Sequence, residues 1–100
     1  METKPTKGLS PEDEKNLRQM RFNRDREIES RLIDARQLYP EFDRHCKEHD
    51  FDEIILLWQK LLAGYTDFEI TDGFYDFFCT SGEFITPAGV IRCIKGTYKN

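Results

Sequence analysis

His45-Cys46-Lys47-Glu48-His49 is the densest group of ligand-type side chains in the chain. Two histidines four residues apart share one helix face, and imidazole with thiolate suits zinc. A structural zinc site needs four ligands in fixed geometry, yet Cys79 and Cys93 stand alone without a Cys-x-x-Cys partner. A solvated polar segment with two surface histidines is the simpler reading, so no metal is expected. A cysteine nucleophile with His45 or His49 as its base is the other chemistry open to these residues. Cys79 and Cys93 lie beside apolar residues, where a thiol serves as a small buried hydrophobe. Acid pairs such as Asp50 with Asp52, or Asp72 with Asp76, work as acid and base only in a pocket that drives their pKa values apart. Solvated helix faces and caps explain them better. Neither a Gly-rich phosphate loop nor Gly-x-Ser-x-Gly occurs. The expectation is a protein that is not an enzyme and holds no cofactor.

Charge offers a different kind of site. Arg18, Arg21 and Arg24 recur every three residues. On a helix they form a basic ridge able to meet phosphates or an acidic protein surface. Asp13, Glu14, Glu27 and Glu29 could balance the ridge through pairs three or four residues apart. Residues 61–91 contain no Lys or Arg but carry Asp67, Glu69, Asp72, Asp76 and Glu83, an acidic face. The formal net charge of -4 argues against nucleic-acid binding over the whole surface, though not at a local patch.

These groups must be positioned by a small frame. One hundred residues make one domain with one core. Phe, Trp and Tyr reach 13%, which argues against a fully disordered chain. The longest apolar run, residues 54–58, falls far short of the roughly 20 residues that span a bilayer. The start, Met-Glu-Thr-Lys-Pro, has no apolar stretch behind it, so a cytoplasmic protein with three free thiols is expected.

Residues 1–9 read as a mobile tail. Ser10-Pro11 followed by three acids starts a helix. Leu17, Met20, Ile28, Leu32 and Ala35 give it an apolar stripe, interrupted at Arg24. One long helix or two with a break near Phe22-Asn23 would both fit. Tyr39-Pro40 ends it. Residues 41–49 read as a short polar segment, one helical turn around Phe42. Asp50 or Asp52 caps the clearest helix, whose inward face holds Phe51, Ile54, Ile55, Trp58, Leu61, Leu62 and Tyr65, with Gly64 as C-terminal cap. The Phe51, Trp58 and Tyr65 stripe is expected in the core, though an exposed part of it would suit a partner. Thr66 and Glu69 have capping-box spacing. The helix they start turns Ile70, Phe74, Phe77 and Phe78 inward, tolerates Gly73 at about 1 kcal/mol relative to alanine, and stops at Ser81-Gly82. Thr86-Pro87 opens a last helix with Val90, Ile91 and Ile94 inside, ending at Gly96. A β reading of residues 82–95 is the alternative, because Val90 and Ile91 are β-branched. The fold class is all-α: a small bundle of about four helices with an N-terminal helical extension.

Four stretches in order carry a family likeness: Tyr39-Pro40 with Phe42; Ile54 to Leu62 around Trp58; Tyr65 with Phe68-Glu69; and Phe84-Ile85-Thr86-Pro87. Over residues 33–95 the sequence resembles the helical domain of the phage replicative-helicase loader/inhibitor family. The resemblance implies a helical bundle over 33–96; the charged extension over 10–32 departs from the family, and the tails at 1–9 and 97–100 are read from the residues themselves. The resemblance also implies an adaptor without catalytic residues, which binds a replicative DNA helicase or its loader and modulates loading in DNA replication. DNA would be reached through that complex. In the family the helicase contact is associated with a flexible C-terminal tail; here the extra residues lie at the N-terminus and include the arginine ridge. The family's run of lysines and alanines in the third helix is replaced by Asp72, Gly73, Tyr75 and Asp76. Two other functions fit the charges: a DNA-binding regulator using the basic N-terminal helix, or an inhibitor of a host or defence protein acting through the acidic face.

Overall fold

A computed structural model describes residues 10–80 and 84–98. The tail at 1–9, the Ser81-Gly82 stop and Glu83 lie outside the described residues. Five helices follow one another, and no strand occurs among the described residues.

Helix α1 (Pro11–Leu38) is a single 28-residue element, about 42 Å long. The Asp13 N–H donates to Ser10 Oγ at 3.0 Å, and Glu12, Asp13 and Glu14 sit at the positive end of the helix dipole. No break occurs at Phe22-Asn23; Gln19 Nε2 donates to Asn23 Oδ1 across that turn at 3.0 Å. Tyr39 turns extended ahead of Pro40, as the proline ring requires.

Helix α2 (Pro40–Glu48) has nine residues, more than the single turn expected. Its charged composition hides one apolar pair, Phe42 and Cys46, four residues apart and both buried. Packing of that pair carries the helix. In α3 (Phe51–Leu61) the Asp52 N–H donates to the Asp50 carboxylate at 3.0 Å. Gly64 does not supply a left-handed cap, since no described glycine has a positive φ; the helix closes at Leu62.

The capping box of α4 (Asp67–Thr80) is reciprocal: the Glu69 N–H donates to Thr66 Oγ1 at 3.1 Å and the Thr66 N–H donates to Glu69 Oε1 at 2.9 Å. Helix α5 (Pro87–Tyr98) opens with the Gly89 N–H donating to Thr86 Oγ1 at 3.1 Å. It overturns the β alternative from residue 87 onward, because the cap-then-proline start outweighs two β-branched residues. It also runs through Gly96, beyond the expected stop.

Helices α1 and α4 form the centre, with α4 carrying the closest packing. Helix α4 packs most closely on α5, then on α1, while α1 also contacts α2 and α3. Ile28, Leu32 and Ala35 of α1 meet Ile70, Phe74 and Phe77 of α4 and Val90 and Ile94 of α5 in one continuous core. Trp58 is buried and stacks on Phe74, with ring centroids 5.5 Å apart. Each such aromatic contributes about 1.5–3 kcal/mol by burial. The molecule measures 58 × 36 × 16 Å, so the core is a thin seam and several helix faces stay open.

Candidate functional site

Residues 11–23 are exposed along their whole length, so the first half of α1 stands clear of the core as an arm. Arg18 and Arg21 stand on this arm in solvent. Arg24 does not join them. Its guanidinium turns inward, where Nη1 donates to the Ala63 carbonyl oxygen at 2.8 Å and Nε lies 3.4 Å from Asp25 Oδ1. Two members of the ridge are thus presented, and the third fastens α1 to the turn after α3. Leu17 and Met20, expected in the core stripe, are exposed. With Arg21 and Arg24 they line a hollow of about 240 Å³ against Tyr65 and Thr66. The chain has only this turn, not a helix, to place over them.

Of the acidic residues on α4, Glu69, Asp72 and Asp76 share one side and Asp67 stands apart, while Glu83 lies outside the described residues. Glu69 is engaged in the α4 cap, and Asp67 Oδ1 accepts from the Phe68 N–H at 2.9 Å. Asp67 borders α1 beside Asn23 and Arg26. Asp76 lies in a cleft of about 400 Å³ between α4 and α5, together with Arg92, Cys93, Thr80 and Thr86. Asp72 is exposed. The helical step of α4 sets Glu69, Asp72 and Asp76, spaced i, i+3 and i+7, on one side of the helix and Asp67 on the other.

Two of the three thiols serve packing, and Cys79, expected as a small buried hydrophobe, does not. Cys46 lies in the core, and burial pushes its pKa up. Burial, followed by a hydrogen bond with Asp76, raises that of Cys93. Both shifts move the sulfur away from the thiolate a nucleophile needs. Cys79 is exposed. His45 and His49 do come together, with ring centroids 4.5 Å apart, and His45 also meets the Phe84 ring edge-on at 5.7 Å. Cys46, between them in sequence, faces the core instead. Among the described residues no three His, Cys, Asp or Glu side chains are grouped to hold an ion.

Two arginines that the sequence reading passed over hold the helices together. Arg31 pairs with Glu27 at 3.3 Å and Asp34 at 3.1 Å on α1, and it donates to the Tyr75 hydroxyl on α4. Its guanidinium lies 5.2 Å from the Tyr75 ring centroid. Thr71 Oγ1 donates to Glu27 Oε2 at 2.6 Å and closes this network. Arg36 binds Asp43 of α2 at 2.7 Å and covers the Phe51 ring of α3 at 4.6 Å.

Leu61, expected on the core face of α3, is 49% exposed, close to Leu56 at 56% and Leu57 at 53%. Helix α3 is covered on the side of Ile55 and Trp58, by α1, α2 and the Phe74 ring of α4. An apolar count alone could not divide a strip this wide into covered and open halves. No family model, no curated protein and no solved structure matches the chain. No helix among the described residues is long and apolar enough to cross a membrane.

Proposed function

We propose that this chain is a non-catalytic adaptor that engages a protein partner through the N-terminal arm of α1. The exposure of residues 11–23 carries this reading. A helix end without tertiary cover is marginal in water, and a bound partner would supply the missing contacts. Arg18 and Arg21 give the arm charge for steering, while Met20 and Phe22, both more than half exposed, give it apolar anchors. The raised thiol pKa values of Cys46 and Cys93 support a role without nucleophilic chemistry. The likeness over residues 33–95 names the class of partner: a phage or host replicative DNA helicase or its loader, whose loading the adaptor would modulate. DNA would then be met through the complex.

The test is capture with the tagged full chain from phage-infected and uninfected lysate, with nuclease present. Recovery of a hexameric helicase or an ATPase loader by the native chain, lost in Arg18→Glu/Arg21→Glu, is the expected result. Recovery of a different single protein would remove the helicase reading and leave an inhibitor. Retention of DNA alone, and only without nuclease, would replace the adaptor with a DNA-binding regulator.

A further inference from the structure

The open face of α3 has an internal symmetry of charge. Ile54, Leu57 and Leu61 follow a three-then-four spacing and make an apolar seam along one side of the helix. Ile54 is half-buried, whereas Leu57 and Leu61 are about half exposed. Glu53 and Lys60 are both exposed, and neither forms an ion pair within the chain among the described residues. They lie seven residues apart, so both occupy the same flank of the seam, about 10.5 Å from each other along the axis.

We propose that this face binds a second copy of the chain, with the two α3 helices antiparallel about a two-fold axis near Leu57. A two-fold interface must be self-complementary, so that each residue meets on the second copy the residue that meets it in return. Antiparallel α3 helices satisfy this with charge. In an antiparallel pair like flanks face one another, so Glu53 meets Lys60 of the second copy while Lys60 meets Glu53 of the second copy. Both contacts form in one register. That register places the axis between Leu56 and Leu57 and brings Leu61 within about 3 Å, along the axis, of Ile54 of the second copy. In a parallel arrangement the same flanks point away from each other and the pairing is lost. Helix α3 is about 16 Å long, shorter than the span needed for the roughly 800 Å² per partner of a tight interface. The dimer is therefore of moderate strength, with a dissociation constant on the order of tens of micromolar. The surface is separate from the α1 arm, so this inference stands apart from the adaptor reading.

Sedimentation of the full chain from about 5 to about 500 µM, the range around such a constant, tests it. The native chain is expected to pass from monomer to dimer across that range. Glu53→Lys alone and Lys60→Glu alone each replace two attractions with two repulsions and weaken the dimer about tenfold. The double variant Glu53→Lys/Lys60→Glu restores it, because the swapped charges meet again. Leu57→Asp abolishes it, with helical circular dichroism unchanged because the side chain is half exposed. A native chain that stays monomeric throughout overturns the proposal. So does a double variant no better than the singles, which would mean association by apolar contact alone or by another face.

Discussion

Gly73 lies inside α4 where a methyl group would stand 2.4 Å from Ile94 Cγ1 and 3.3 Å from the Val90 carbonyl oxygen. The helix-propensity penalty of about 1 kcal/mol read from the sequence is the smaller effect here. The glycine lets α4 and α5 approach, and Gly89 serves the same interface opposite Phe77. Gly73→Ala is expected to lose about 1–3 kcal/mol by overpacking, read from the urea midpoint. Gly64 has nothing within 4 Å of an added Cβ and no positive φ. Gly64→Ala should be neutral or stabilising by about 0.4–1 kcal/mol. Equal losses at both positions would remove the packing explanation. No sequence rule separates these two glycines, because the neighbour that decides the sign is more than 20 residues away for Gly73.

Between elements, charge does more joining than the sequence announced. Asp43 accepts from Arg36 and Lys47, and these hydrogen bonds hold its carboxyl below the ordinary aspartate range. A folded-state pKa below the unfolded one adds stability that is complete above the unfolded value and lost as pH falls through the folded one. The α1–α2 junction should therefore weaken below about pH 4, the ordinary aspartate range. Asp43→Asn is expected to lower stability at neutral pH and to flatten that acid-side decline, measured by thermal unfolding across pH. A variant with the native acid slope would show that other carboxylates set it. The caps at Ser10, Thr66 and Thr86 were legible beforehand because they act within four residues. Helix α2 was not, since its two buried side chains need α1, α3 and the Phe84 region to pack against.

For the molecule as a whole, the flat arrangement sets where stability resides. Residues 28–38 of α1 share the core with α4 and α5, whereas residues 11–23 do not. Amide exchange should therefore divide this one helix, with residues 11–20 exchanging near the unfolded rate and the core-facing turns protected to the global limit. Arg24 marks the boundary between the two parts through its bond to Ala63. Arg24→Ala should move the boundary of protection toward Ile28 at a cost of about 0.5–1.5 kcal/mol. Uniform protection along α1 would mean that the arm is held by contacts other than this bond. A bound partner on the arm would add protection at residues 11–23 first.

The amino-acid sequence by itself determined the helical class, the positions of the caps and prolines, the burial of Trp58, Phe74 and Val90, and the strong charge of the first helix. These follow from interactions within a few residues or from a clear 3.6-residue period. Only the tertiary structure decided that Arg24 binds the turn at Ala63 while Arg18 and Arg21 stay in solvent. It also decided that Asp67 borders α1 while Asp76 lines the cleft toward α5, that Gly73 marks a close crossing, and that Leu56, Leu57 and Leu61 stand open. The physical reason is the same in each case. A side chain's type states what it can bury or pair with, but the helix that arrives beside it, from tens of residues away, determines whether it does.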